Sequence, residues 1–209
     1  MERLWRGSIK TTTIHTRTIK RMKNKCTKGE FLYFQKKKNM EIIKTLFLFG
    51  ISAALYVAGI IATGSNKNYL TIVAILGCLP ASKSAVSMIM YLKAKGCTKE
   101  AYEYISGKVG ENVGAYNLYF TSYDKNFDMY HVFVKGMTII AYTENSKIVE
   151  NAFEEHIKTV LNRDSITGVN VKLYKDLQKY VTRIEQMQNL ENEKSREKDI
   201  MKTLFAVSL

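Results

Sequence analysis

The chain has 209 residues, 46% of them hydrophobic and 11% aromatic, and its formal net charge is +13. The charge is uneven, because residues 1–39 carry +10 and residues 40–93 carry +3, which leaves residues 94–209 neutral. Proteins that bind nucleic acid neutralise phosphates with clustered Lys and Arg. The neutral C-terminal half is therefore not expected to bind nucleic acid.

The N-terminal segment, residues 1–39, is basic and rich in Thr, with no sustained apolar periodicity. This composition predicts a disordered cytoplasmic tail. An alternative is a basic arm held on anionic lipid headgroups. Met1, Met22 and Met40 are each possible translation starts, and the sequence does not choose among them.

Two apolar segments follow the tail. Residues 45–63 contain no charge, and residues 69–92 are interrupted only by Pro80 and Lys83. About 20 apolar residues suffice for a helix to cross a bilayer. The five-residue connection 64–68 is short enough to force the two helices antiparallel. We therefore predict a two-helix transmembrane hairpin over residues 40–96. Its predicted binding partner is the lipid bilayer.

Lysines at both ends of the hairpin predict its orientation. The connecting loop has only Lys67, whereas the two flanks carry a set of seven lysines: Lys36, Lys37, Lys38, Lys44, Lys93, Lys95 and Lys99. Cytoplasmic loops of membrane proteins have an excess of Lys and Arg. The pattern predicts a multi-pass protein of the plasma membrane with both termini in the cytoplasm.

Small residues recur every four positions in both spans. The two stripes are Gly50, Ala54, Ala58 and Ala62 in the first span, and Gly77, Ala81 and Ala85 in the second. Such stripes let helix backbones approach closely. We predict that the two stripes pack on each other, with homo-oligomerisation as the alternative.

Pro80 and Lys83 are the unusual residues of the second span. Pro80 removes a backbone hydrogen bond and predicts a kink near residues 75–79. A charged residue inside a membrane has a high free energy unless it has a partner, and such residues are usually functional. Lys83 is therefore a candidate for binding a lipid headgroup, an ion or a protein partner. Alternatively, the span begins early and Lys83 lies in the interfacial zone. Both residues are candidate binding residues.

The remaining residues, 97–209, predict a cytoplasmic α/β domain with a mixed sheet. The fold class is α/β, in the order helix, three-strand meander, helix, strand, helix, fused to a transmembrane α-helical hairpin. The predicted helices are 98–107, 147–162 with Ser146 as its cap, and 177–190; the predicted strands are 115–123, 129–134, 137–143 and 168–174. We expect a solvated charged run at 191–199, and an apolar end, 200–209, that folds back onto the sheet.

This order of elements resembles the restriction-endonuclease-like fold. The resemblance implies an acid on the second strand and an acid-x-Lys motif on the third, which together hold Mg²⁺. Asp128 fits the first position, but the third strand, TIIAY, offers neither acid nor Lys. The candidate catalytic residues are therefore scattered: Glu103, Glu111, Asp124, Asp128 and Lys135.

Two short segments carry a second resemblance. LPASKSA in the second span and TSYDKNF in the domain are similar to segments of two-span membrane proteins of Firmicutes. The resemblance implies a bacterial plasma membrane and brings no assigned function with it.

No nucleotide-binding loop, metal-ligand spacing or catalytic triad is evident, so the sequence predicts no cofactor and no metal site. His131 is expected to be a hydrogen-bonded histidine of the sheet. Tyr116, Tyr123 and Tyr130 would form a binding platform if they are exposed together. The predicted function is a membrane-anchored cytoplasmic interaction module that binds a protein partner. The alternative is a metal-dependent nucleic-acid hydrolase with a non-standard or degenerate site.

Overall fold

The computed structural model describes residues 27–110, 112–122, 125–188 and 194–209. These residues form a mixed α/β structure with six helices and one four-stranded mixed sheet. They divide into two compact units. One is a helical hairpin, residues 34–96, and the other is an α/β domain made of residues 97–209 together with 27–33.

The hairpin consists of α1 (Tyr33–Thr63) and α2 (Tyr69–Lys93). Both helices are long and apolar enough to cross a membrane, by length and composition. Asn68 begins α2, and its side-chain oxygen accepts a hydrogen bond from the backbone N–H of Thr71 at 2.8 Å. α2 continues through Pro80. Because α1 begins at Tyr33, the last residues of the predicted tail are helical.

The contact face of α1 differs from the predicted stripe. Gly50, Ala54, Ala58 and Ala62 are all exposed. Thr45, Ser52 and Gly59 are buried instead, at a spacing of seven residues. Two helices that stay in contact over several turns repeat their contacts every seven residues, so a stripe with a strict spacing of four rotates away from the partner. The predicted stripe on α2 is partly right, because Ala81 is fully buried.

Close polar contacts fix the register of the hairpin. The hydroxyl oxygens of Thr45 and Ser84 lie 2.9 Å apart. A Cβ atom at Gly77 would come within 2.7 Å of the Ser52 hydroxyl, and one at Gly59 would come within 3.0 Å of Leu70. Small residues therefore sit wherever the two helices approach most closely.

Replacing Ala81 by Leu should destabilise the hairpin, because the Ala81 side chain is fully buried against α1. Overpacking of this kind costs about 1–3 kcal/mol. The matched control is Ala54→Leu, since Ala54 is exposed. Thermal unfolding in detergent measures both. Equal melting temperatures for the two variants would contradict this packing.

After the hairpin, the domain continues with α3 (Lys99–Val109), followed by β1 (Val113–Thr121), β2 (Asn126–Lys135) and β3 (Thr138–Tyr142). α4 (Glu150–Arg163) then crosses to β4 (Asn170–Tyr174), and α5 (Leu177–Gln188) and α6 (Lys194–Val207) complete the chain. The strands lie in the order β1-β2-β3-β4. The first three are antiparallel neighbours, and β4 is parallel to β3.

Helices cover both faces of the sheet. On one face, α4 and α6 pack over a core that includes Phe120, Met129 and Phe153. On the other, which we call the α3/α5 face, α3 and α5 cover Tyr130 and Phe133 of the sheet, and α5 contributes Tyr180 to this core. Nine of the ten residues of β2 are buried. A strand that is covered on both faces has a nearly continuous apolar sequence rather than an alternation of apolar and polar residues.

The segment before α1 and the segment after α6 both meet the outer edge of β1. The backbone N–H of Tyr116 donates to the carbonyl of Gly29 at 2.7 Å, and the N–H of Leu209 donates to the carbonyl of Tyr119 at 2.8 Å. The Lys28 ammonium donates to the carbonyls of Phe205 and Ser208, both at 2.6 Å. A covered sheet edge offers no template for pairing with another strand.

α6 folds back onto the sheet as the sequence predicted. Ile200 and Leu204 are buried, whereas Val207 is 37% exposed. The charged run is not uniformly solvated, because α6 begins at Lys194 and Glu197 is buried. The Glu197 carboxylate accepts a hydrogen bond from the N–H of Gly136 at 2.8 Å.

The helix predicted at 147–162 begins later, at Glu150, and Ser146 does not cap it. Residue 149 occupies the cap position and makes no side-chain capping bond.

Candidate functional site

The α3/α5 face of the sheet is rich in aromatic rings. Tyr102 stacks on Phe31 with 4.3 Å between ring centroids, and Tyr142 stacks on Tyr180 at 5.4 Å. Tyr116 lies between these pairs, 5.0 Å from the ring of Tyr102. The rings form a continuous layer between the sheet and its two covering helices.

His131 lies at the centre of this layer and is completely buried. Its Nδ1 atom shares a 2.6 Å hydrogen bond with the Tyr180 hydroxyl, so the predicted sheet histidine is hydrogen-bonded. A Cβ at Gly114 would lie 2.9 Å from Nε2, which explains why that position has no side chain. Burial lowers the pKa of His131 to about 3. The imidazole is therefore neutral at physiological pH.

A second polar group surrounds Glu144, which follows β3. Its carboxylate accepts hydrogen bonds from the hydroxyls of Tyr142 at 3.0 Å and Thr98 at 3.3 Å. Burial, and secondarily the charge of Glu144, raises the pKa of Cys97 to about 12. Cys97 is therefore a thiol at neutral pH and a poor nucleophile.

Asp128 and Lys135 both lie on β2 and are both buried. Asp128 pairs with Tyr119 across the sheet, and the Lys135 ammonium donates to the Asn112 side chain at 3.0 Å. Seven residues of extended strand separate them, or roughly 23 Å. The two candidates therefore do not share a site.

The other candidate acids do not join them. Glu103 is exposed on α3 and forms an ion pair with Lys99 at 3.8 Å. Glu111 and Asp124 lie outside the described residues. Within the part of the chain that the structure describes, no three His, Cys, Asp or Glu side chains are placed to hold a metal ion.

The tyrosines proposed as a platform are not exposed together. Tyr130 is 4% exposed and Tyr116 is partly buried, while Tyr123 lies outside the described residues. Burial, followed by the charges of Asp128 and Glu144, raises the pKa of Tyr130 to about 12. Tyr116 and Tyr130 are part of the packed layer rather than an open surface.

Asn117 is a residue that sequence reasoning missed. Its backbone adopts the left-handed conformation, with φ 56°. Its side-chain oxygen accepts from the N–H of Cys97 at 2.6 Å, and its side-chain nitrogen donates to the carbonyl of Phe31 at 2.6 Å. The only sequence signal was an Asn in the middle of a predicted strand, which is unfavourable for strands.

The candidate binding residues of the hairpin, Pro80 and Lys83, both lie on exposed positions of α2. The neighbouring Ser84 is buried against α1. Lys83 therefore points away from the helix that partners α2.

Comparison with known proteins gives no match to a family model, to a curated protein or to a solved structure.

The His131→Leu variant should lose its stability less steeply in acid than the native chain. The pKa of His131 is about 6.5 when unfolded and about 3 when folded, so its contribution is complete above pH 6.5 and falls as pH drops. Between pH 7.5 and pH 5 the native chain should lose about 2 kcal/mol through this group.

Denaturant unfolding of the full chain at both pH values measures the difference. His156 has a lowered pKa, caused by burial and then by Arg163, but it is present in both proteins and cancels. Equal losses in the native chain and the variant would show that His131 does not carry this dependence.

Proposed function

We propose that the chain is a membrane-anchored interaction module, in which the hairpin holds the α/β domain at the cytoplasmic face of the plasma membrane and the domain binds a protein partner. One observation carries the proposal. Two helices long and apolar enough to span a bilayer form one compact unit, and the α/β domain forms another. The lysines that flank both helices favour cytoplasmic termini.

The outer surface of the domain supports binding of a partner. Large apolar side chains there include Tyr104 on α3, 48% exposed, and Val149 before α4, 51% exposed. The aromatic α3/α5 face is occupied by its own helices, so contacts with a partner fall to the outer surfaces of the helices. Interfaces are enriched in exposed aromatic residues relative to the rest of the surface.

A photoreactive amino acid in place of Tyr104 or Val149, in the full chain in its host cell, should give discrete cross-linked products. The matched control is Lys158, which is exposed on α4 and carries a charge. We expect products at one or both apolar positions and none at the control. The absence of products at both apolar positions would contradict the module.

The alternative hydrolase has one observation in its favour. Burial, and then the charges of Asp128 and Glu144, raises the pKa of Tyr130, so an acid near the start of β2 and an acid after β3 both act electrostatically on one hydroxyl. Carboxylates that approach each other closely are ligands that Mg²⁺ and Mn²⁺ accept. Lys135 is at the far end of β2 and takes no part.

Calorimetric titration of the full chain in detergent with Mn²⁺ tests this alternative. The module predicts no binding heat for the native chain. Binding that is lost in Glu144→Gln and kept in Glu103→Gln would favour the hydrolase, because Glu103 is exposed on α3 and forms its ion pair with Lys99.

A further inference from the structure

The hydrogen bond between the two helices of the hairpin shows where Lys83 lies relative to Lys44. The Thr45 and Ser84 hydroxyls are 2.9 Å apart, so these two residues share one level along the hairpin. Lys44 and Lys83 each directly precede one of them in the chain. At a rise of 1.5 Å per residue, and with antiparallel helices, their levels differ by about 3 Å.

This common level fits the cytoplasmic border of a bilayer. From Thr45 to Thr63, α1 spans about 28 Å, close to the thickness of a hydrocarbon core of about 30 Å. Glu41 is one turn below this level, and its carboxylate lies 3.6 Å from the Lys44 ammonium and 3.9 Å from that of Lys37. A charged side chain inside the hydrocarbon core has a high free energy. The cytoplasmic border of the core is therefore placed at Lys44 and Lys83, so that Glu41 and Lys37 lie outside the core.

Helical rotation turns the two lysines to the same side. Each residue advances about 100° around its helix. On each helix, the lysine is rotated in the same sense along the chain from the buried residues that face the partner helix. Because the two helices are antiparallel, these rotations bring Lys44 and Lys83 to the same side of the hairpin. The side chain of Lys44 is 59% exposed, and Lys83 is exposed. Within the described part of the chain, Lys83 makes no ion pair.

We propose that Lys44 and Lys83 together bind the phosphate of an anionic phospholipid in the cytoplasmic leaflet. The inference rests on the proposed membrane anchoring. Within about two turns of this level, Lys37, Lys44 and Lys83 outnumber the single acid Glu41, so this region of the hairpin carries a net positive charge. An ammonium on a long flexible stem binds phosphate as a point charge. A free phosphate ion offers the same chemistry, and the experiment must separate the two sources.

Native mass spectrometry of the detergent-purified full chain measures how tightly the chain binds phosphatidylglycerol, with phosphatidylcholine as the zwitterionic comparison. The variants are Lys44→Gln, Lys83→Gln and their combination. The control is Lys67→Gln in the connecting loop, which removes the same charge at the other end of the hairpin. We expect affinity for phosphatidylglycerol to fall about fivefold for each lysine removed at the border, and to be unchanged in the control.

Three results would overturn the proposal. Unchanged phosphatidylglycerol affinity in the double variant would remove the site. An equal loss in Lys67→Gln would show that only net charge matters. Displacement of the lipid by millimolar inorganic phosphate would assign the site to the free ion.

Alkaline carbonate extraction of membranes distinguishes this inference from the proposed function. A native chain that is extracted from the membrane contradicts the anchoring itself. A chain that stays in the membrane, with unchanged lipid affinity in the double variant, contradicts only the lipid site.

Discussion

The side-chain amide of Asn117 joins the two points at which the chain leaves and re-enters the α/β domain. It donates to the carbonyl of Phe31, before α1, and accepts from the N–H of Cys97, after α2. An amide is suited to this role because it has a donor and an acceptor on one rigid group. Losing it would leave two backbone groups without their partner, at about 1–3 kcal/mol each where they are buried.

The backbone of Asn117 also shapes the sheet. The ladder between β1 and β2 is registered on both sides of this residue but not at it. Ala115 and Leu118 both point to the α4/α6 core, although they are three residues apart and strict alternation would place them on opposite faces. The left-handed conformation, which Asn tolerates better than most residues, accounts for this change of phase. The hydrogen bond from Asn117 to the carbonyl of Phe31 makes the segment before the hairpin an integral part of the domain.

Three of the buried polar residues of the hairpin lie within one helical turn of the same level. Glu41, Thr45 and Ser84 are buried between the helices, and Lys37 and Lys44 flank Glu41. A charge at the centre of a membrane helix costs about 2.5–3.5 kcal/mol on insertion scales. That cost disfavours any placement of the bilayer in which its hydrocarbon core contains Lys37, Glu41 and Lys44. The polar contacts therefore set both the register of the helices and the depth proposed for the hairpin.

Much of the fold followed from the sequence, because the signals were local. The two apolar stretches and the four predicted strands depend on composition and period alone, and the structure has the corresponding elements. The predicted helices 147–162 and 177–190 correspond to α4 and α5, which bury one face each, including Ile157 and Ile184. Local periodicity determines which side of an element is apolar.

The remaining features depend on which elements meet in space. No local pattern distinguishes the exposed small residue Ala54 from the buried Ser52, because the choice follows from the supercoiling of two helices. The His131–Tyr180 pair joins residues 49 positions apart, and Asn117 binds groups 20 and 86 positions away. The sequence by itself determined the elements and the charge asymmetry. Only the tertiary structure decided the partners of the buried polar groups, because a hydrogen bond between distant residues leaves no periodic trace in the chain.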